Sequence, residues 1–206
     1  MRSTEQEDFW EGEFGDEYID RNVSKFIDAS NINLFCEIFN NLTSKPESIF
    51  EFGANIGNNL KAIKNICPSC KTIGAEINPK AVEVLEKTNY CDVVIGDSIF
   101  NIEDTKFNAE ITMTKGVLIH INPDYLLKVY DKLYRCSKKY ILIIEYYNPS
   151  PVEINYRGYT NKLFKRDFAG EIMDKYKNLK LIKYGFRYKR DNLFPLDDLS
   201  WFLLSK

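Results

Sequence analysis

The chain has 206 residues, of which 44% are hydrophobic and 28% charged, and its formal net charge is −2. These values are ordinary for a globular protein, so they exclude long disordered or fibrous segments and fit one domain. Lys and Arg are scattered along the chain, and its apolar runs are far shorter than a bilayer span, so we expect no nucleic-acid or membrane partner.

The first seven residues contain no apolar signal region. We therefore expect a cytoplasmic protein whose five cysteines stay reduced. We also expect it to be a monomer or a homodimer. Cys67 and Cys70 have the spacing of half a zinc site, but there is no second such pair, and His120 is the only histidine. We predict no bound metal.

The N-terminal part predicts helices. Residues 1–20 mix acidic side chains with Phe9, Trp10, Phe14 and Tyr18, a pattern typical of an amphipathic cap. Apolar residues spaced three and four apart then predict a helix over residues 31–42, and Pro46 ends that segment.

From residue 46, short apolar runs alternate with helical ones, which predicts βα units and a parallel sheet. The predicted strands are residues 48–52, 72–77, 93–96, 109–114 and 140–146, and the predicted helices are residues 58–65, 79–88, 123–136 and 165–176. Residues 179–190 and 199–205 are strand-like with no helix between them, so they predict an antiparallel pair.

The predicted fold class is therefore α/β. It is a Rossmann-like, class I methyltransferase fold with a seven-stranded, mostly parallel sheet, a C-terminal antiparallel hairpin and an N-terminal helical cap. We expect one domain over residues 1–206, with cap and helix in 1–45 and the Rossmann-like core in 46–206.

A turn containing two glycines follows the first predicted strand and leads into a helix. Gly53 and Gly57 stand four apart, with Glu51 two residues ahead, which favours S-adenosylmethionine over a dinucleotide. Asn55 replaces the middle glycine of the usual motif, and asparagine tolerates a left-handed backbone. A strand-to-helix turn without a ligand is the alternative.

Two further acidic residues end the next two predicted strands. Glu76 could accept hydrogen bonds from both ribose hydroxyls, and Asp97 could accept one from an adenine amino group, with a backbone amide beside it meeting the ring. Their alternative roles are helix capping and an ordinary turn. Because ligands bind at the carboxyl ends of strands in open α/β sheets, the three signals together predict one nucleoside site.

Five segments are specific enough to suggest a family. They read TEQEDFWEGEFG at residues 4–15, EFGANIG at 51–57, TKGVLIHINP at 114–123, EYYNPSP at 145–151 and LFKRDFAGE at 163–171. Over almost its whole length the chain resembles the pseudaminic acid biosynthesis-associated methylases, a branch of the class I S-adenosylmethionine-dependent methyltransferases.

The resemblance implies S-adenosylmethionine as cofactor and S-adenosylhomocysteine as product. It implies a sugar-derived acceptor, namely a pseudaminic-type nonulosonic acid, its nucleotide-activated form or an amino-sugar precursor. Another small carboxylate or amine remains an open alternative. The predicted cofactor-binding residues are Trp10, Tyr18, Glu51, Gly53, Asn55, Ile56, Gly57, Asn59, Glu76, Ile77, Asp97, Ser98, Lys115 and Gly116.

The acceptor side is predicted after the fourth and fifth strands. His120 has an ordinary pKa near neutrality that suits proton removal from an acceptor, although a packing role is equally open. Tyr146 is the second predicted catalytic residue, and tyrosine rings can stack on a sugar or a cation. The predicted substrate-binding residues are His120, Glu145, Tyr146, Tyr147, Asn148 and Arg157.

Arg157 could pair with a carboxylate, with a surface arginine as the alternative. Methyl transfer from a sulfonium is a direct displacement, so the enzyme would mainly align and desolvate the reactants. A dinucleotide-dependent oxidoreductase would need the GxGxxG spacing that this chain lacks. A noncatalytic module that binds a glycan or partner enzyme is the third possibility.

Overall fold

The computed structural model describes residues 4–21, 25–104 and 106–206, in which three helices are followed by alternating strands and helices and then by two strand pairs around the last helix. The α-helices are α1 (Glu5–Glu11), α2 (Glu13–Arg21), α3 (Lys25–Phe39), α4 (Asn58–Ile66), α5 (Pro79–Glu86), α6 (Leu126–Cys136) and α7 (Phe168–Lys175). The strands are β1 (Ser48–Phe52), β2 (Lys71–Glu76), β3 (Val93–Gly96), β4 (Ala109–Lys115), β5 (Ser137–Glu145), β6 (Val152–Tyr156), β7 (Tyr159–Lys165), β8 (Lys180–Arg187) and β9 (Leu199–Ser205).

The main sheet has seven strands in the order β3-β2-β1-β4-β5-β9-β8. The first five are parallel, whereas β9 runs antiparallel to β5 and β8. This confirms the predicted fold class, including its terminal antiparallel pair. The strand order reverses between β1 and β4, and the carboxyl ends of strands at such a switch point form the usual ligand crevice of an open α/β sheet.

Helices cover both faces of the sheet because successive strand residues point to opposite sides. On β1, Ile49 packs with α3, α4 and α5, whereas Phe50 and Phe52 pack with α6 and α7. Strand β5 is buried on both faces in the same way. Among the described helices, none combines the length and apolarity needed to cross a bilayer.

The structure differs from the prediction over residues 152–165, where a β6–β7 hairpin replaces a loop and the start of a helix. Arg157 and Gly158 form its tip with φ values of 54° and 91°. Two left-handed residues suit the twist of a tight hairpin. Helix α7 begins after Asp167, whose side chain accepts a hydrogen bond from the Gly170 amide and caps it.

The N-terminal segment forms the predicted helical cap. Thr4 and Glu7 cap α1 reciprocally, each side chain accepting from the other residue's backbone N–H. Helix α3 begins at Lys25, six residues before the predicted start, and it ends at Phe39. The earlier start places Asn31 in the second turn of α3, where its side chain is buried.

Candidate active site

A cavity of about 470 Å³ lies at the carboxyl ends of β1 to β4, under the helical cap. It brings together residues that are far apart in the sequence. The predicted site residues on its wall are Trp10, Tyr18, Gly53, Asn55, Asn59, Glu76, Ile77, Asp97, Ser98, Lys115, Gly116, His120 and Arg157. Those that do not line it are Glu51, Ile56, Gly57, Glu145, Tyr146, Tyr147 and Asn148.

The turn after β1 is left-handed at three positions, Gly53 (φ 75°), Asn55 (φ 48°) and Gly57 (φ 82°). Asn55 thus adopts the conformation that the sequence required of it. A Cβ on Gly57 would lie 2.6 Å from Leu85 Cδ1, so this glycine allows helix packing and does not face the cavity. Gly53 does face the cavity, and a Cβ there would lie 2.5 Å from Val117 Cγ2.

Glu76 is fixed at the end of β2 by backbone amides. Its Oε2 accepts from the Asn55 N–H at 2.7 Å, and its Oε1 accepts from the Ile77 and Asn78 N–H groups at 2.8 Å each. Burial raises the pKa of this carboxyl, and the amides oppose the rise. The carboxyl group is therefore held rigidly on the cavity wall.

Asp97 lies at the corresponding position after β3. Its Oδ1 accepts from the Ser98 N–H at 2.6 Å and from Asn101 Nδ2 at 2.8 Å. The Ser98 hydroxyl donates to the Glu7 carboxylate of α1. The cap therefore contacts the wall beside Asp97.

Glu51 lies beneath the wall at the end of β1 and is completely buried. Its Oε1 accepts from Asn59 Nδ2 at 2.6 Å, and burial raises its pKa to about 8, opposed by Asn59 and by the charge of Lys115. Burial lowers the pKa of Lys115, while the carboxylates of Glu51 and Asp197 oppose the shift. This end of the cavity thus has a half-buried cation on its wall and a buried acid beneath it.

His120 lies on the wall, 4.6 Å from Trp10 between ring centroids, and Nδ1 is 2.7 Å from the Lys162 carbonyl oxygen. A carbonyl only accepts, so Nδ1 carries the proton and Nε2 keeps its lone pair. Burial lowers the pKa of His120 to about 4, well below the near-neutral value expected from the sequence. The imidazole is neutral at pH 7 and less basic than predicted.

The predicted acceptor residues of β5 do not line the cavity. Glu145 is buried, and its Oε1 accepts from the Val117 and Leu118 N–H groups at 3.0 and 3.1 Å, so it supports the turn after β4. Tyr146 packs against the hydrophobic core on both faces of the sheet, with Lys165 Nζ 4.9 Å from its ring centroid. Tyr147 is exposed and contacts Phe202, and Asn148 is half-buried and donates to the Ser150 carbonyl. Their chain positions predicted a place near the site, but Glu145 and Tyr146 pack into the core, and Tyr147 and Asn148 lie away from the cavity.

The cap and the β6–β7 hairpin together roof the cavity. Gln6 Nε2 donates to the Asn161 carbonyl at 2.9 Å, and Lys162 Nζ lies 2.9 Å from Glu5 Oε1. Asn78 Nδ2 donates to the Trp10 carbonyl at 3.2 Å and to Asp16 Oδ1 at 3.0 Å, which joins the cap to the end of β2.

Sequence reasoning missed several polar wall residues. They are Thr4, Gln6, Glu7, Asn31, Asn58, Asn78 and Asp197. Glu7 and Asn78 occupy capping positions that the sequence pattern does reveal. Nothing in the local pattern distinguishes Asn31 from a solvated helical asparagine. Within the described residues there is no cluster of three or more His, Cys, Asp or Glu side chains suited to a metal ion.

Solved structures of methyltransferases share this architecture. Magnesium protoporphyrin IX methyltransferase from Synechocystis PCC 6803, solved with bound SAM, has a TM-score of 0.70 at 10% identity, and the match covers 100% of this chain and 99% of that one. The plantazolicin methyltransferase BpumL, in complex with a pentazolic desmethylPZN analog and SAH, has a TM-score of 0.66 at 14% identity, and the match covers 93% of this chain and 89% of that one.

This chain has the methyltransferase fold. An S-adenosylmethionine-dependent methyltransferase from Clostridium acetobutylicum ATCC 824 adds a TM-score of 0.61 at 11% identity, over 93% of this chain and 97% of that one. No family model matches the sequence, and the comparison with curated proteins gives no significant match. The likeness to these methyltransferases is thus one of fold.

Proposed function

We propose that this protein is an S-adenosylmethionine-dependent methyltransferase acting on a small polar acceptor. The observation that carries the proposal is the cavity at the switch point of the sheet. There the turn at Gly53 and Asn55, the Glu76 carboxyl group and the Asp97 carboxylate come from three successive strands. The bound SAM or SAH in the structural neighbours supports the same cofactor.

The residues present fit such a cofactor. Asn59 lines the cavity, and its buried Oδ1 has no hydrogen-bond partner among the described residues. Buried polar atoms are normally paired, so this oxygen is suited to a polar ligand. Glu76 would bind the ribose hydroxyls, Asp97 the adenine amino group, and the turn would lie against the methionine part.

The cofactor, when bound, supplies an electrophilic methyl group on sulfur. The protein's part is to align the acceptor and to exclude water, which Trp10 and Tyr18 of the cap would do from above. His120 Nε2 would accept a hydrogen bond from the attacking hydroxyl or amine and so orient its lone pair. Because its pKa is low, His120 would position the acceptor as a hydrogen-bond acceptor more than it would act as a general base.

For the acceptor we propose a pseudaminic-type nonulosonic acid, its nucleotide-activated form or an amino-sugar precursor. The sequence resemblance supports this choice, and so does Arg157, a cation on the cavity wall that could bind a carboxylate. Gln6 Oε1 and Trp10 Nε1 are buried, line the same cavity and have no partner in the described part of the chain, which suits a ligand with several hydroxyl groups.

Calorimetry with S-adenosylhomocysteine and with NAD tests the cofactor. We expect saturable binding of S-adenosylhomocysteine only, weakened in Glu76→Gln because an amide would turn N–H groups toward backbone donors. Glu86→Gln, on the exposed face of α5, is the matched control. Binding of NAD alone would support an oxidoreductase instead.

Release of S-adenosylhomocysteine with a panel of nonulosonic acids, amino sugars, small carboxylates and amines tests the acceptor. Turnover only with small carboxylates or amines would replace the sugar-derived acceptor. Cofactor binding without turnover on any of them would favour a noncatalytic module.

A further inference from the structure

Asn31 is a buried asparagine on the wall of the cavity. It is 0% exposed, and neither Nδ2 nor Oδ1 has a hydrogen-bond partner within the part of the chain that the structure describes. Such atoms are rare in folded proteins, where buried polar groups are nearly always paired. A carboxamide with both atoms unpaired fits a ligand that offers a donor and an acceptor together.

The groups near the ends of β1 and β4, on the cavity wall and directly beneath it, have the same character. Asn59 donates to Glu51 at 2.6 Å, which leaves Asn59 Oδ1 and Glu51 Oε2 without a partner among the described residues. Lys115 lines the same cavity, and its charge acts on Glu51. The cavity wall therefore offers one cation, Lys115, and two neutral amides, Asn31 and Asn59, with the acid of Glu51 beneath it, a set that matches a zwitterion.

The order of the strands fixes where the parts of a bound nucleoside fall. Adjacent strands are about 4.8 Å apart, and the sheet runs β3, β2, β1, β4. With the base at Asp97 after β3 and the ribose at Glu76 after β2, a substituent on the 5′ carbon crosses β1 toward β4. That path leads toward the part of the wall that carries Asn59 and Lys115, and Asn31 lines the same cavity.

We propose that Asn31 binds the zwitterionic amino-acid end of S-adenosylmethionine and S-adenosylhomocysteine. Its Nδ2 donates to the α-carboxylate, and its Oδ1 accepts from the α-ammonium. The proposal rests on the proposed function and assigns a specificity role to a residue of α3, outside the turn that follows β1. Asn31 makes the site prefer the amino-acid-bearing nucleoside to a truncated one such as 5′-methylthioadenosine.

Calorimetry on the full chain with two probes tests this role. In the unmodified protein we expect S-adenosylhomocysteine to bind more tightly than 5′-methylthioadenosine. Asn31→Leu should weaken S-adenosylhomocysteine by about 10- to 100-fold, the usual effect of losing hydrogen bonds to charged groups, and change 5′-methylthioadenosine by less than about 3-fold. Asn31→Asp keeps the shape of the side chain but repels a carboxylate, so it should give the same pattern.

Cys36→Ala, an exposed position on the same helix, is the control and should change neither affinity. An equal loss of both probes in Asn31→Leu and Asn31→Asp would overturn the proposal, because it would indicate a purely structural role. Unchanged affinity for S-adenosylhomocysteine in the two variants would overturn it as well. If the unmodified protein binds neither probe, the proposed function itself fails.

Discussion

Two glycines on the cavity wall, Gly53 and Gly116, differ in one respect that can be measured. Both have positive φ, 75° and 68°. A Cβ on Gly53 would lie 2.5 Å from Val117 Cγ2, whereas a Cβ on Gly116 would meet nothing within 4 Å. Alanine at either position therefore pays for a left-handed backbone, about 1–2 kcal/mol. Only alanine at position 53 must also displace a neighbour, for about 1–3 kcal/mol more.

We therefore expect Gly53→Ala to lower the free energy of unfolding by about 1–3 kcal/mol more than Gly116→Ala. For a chain of this length the difference corresponds to about 2–12 °C in Tm. Urea denaturation and thermal scans without ligand measure both quantities. Equal destabilisation by the two substitutions would refute the steric argument, and so would a neutral Gly53→Ala.

Three further predictions concern charged and capping groups. The pKa of Glu51, about 8 when folded, lies above its ordinary value of 4.5, so its contribution to stability is complete below about pH 4.5 and is lost as the pH rises through 8. Glu51→Gln should therefore reduce the fall in the free energy of unfolding between pH 5 and pH 8. An unchanged pH slope would contradict the raised pKa. Because the pKa of His120 is about 4, the pH dependence of kcat/KM in the unmodified protein should show no ionisation of His120 near pH 6.5. The His120→Asn variant should lose turnover, while its affinity for S-adenosylhomocysteine should stay within about 3-fold. Asn78→Ser keeps an N-cap oxygen for α5 but removes the amide that holds the cap, so limited proteolysis should cut the N-terminal helices faster, whereas an unchanged cleavage rate would show that Asn78 does not hold them.

The sheet could be predicted from the sequence because each of its strands carries its own signal. Strands β1, β3 and β9 begin and end where the alternation of apolar runs predicts. The β6–β7 hairpin was missed, although residues 152–156 alternate and Arg157-Gly158 could form a two-residue turn. Its strands are largely exposed, so they lack the continuous apolar run that marks a buried strand.

The part of the candidate site proposed for the cofactor could be placed only partly by local rules, since Glu51, Ile56 and Gly57 do not line the cavity. Glu76 and Asp97 lie directly after strands, and the turn at Asn55 needs left-handed residues. The part proposed for the acceptor was harder to predict from the sequence, because it depends on how the roof folds back over the sheet. Tyr146 lies next to the site along the chain, yet its side chain packs into the core, whereas Gln6 and Asn31 come to the cavity from distant segments.

The floor and the roof of the cavity are held by interactions of different strength. The floor is formed by the ends of the parallel strands. Backbone hydrogen bonds join β1 to its neighbours β2 and β4, and three backbone amides hold Glu76, so the floor can open only if the sheet itself opens. The roof is attached to the floor by side-chain hydrogen bonds, from Asn78 to Trp10 and Asp16 and from Ser98 to Glu7. Hydrogen bonds of this kind contribute about 0.5–3 kcal/mol each. We therefore expect the roof to separate from the floor well below the free energy of global unfolding, which gives a ligand its way into the cavity.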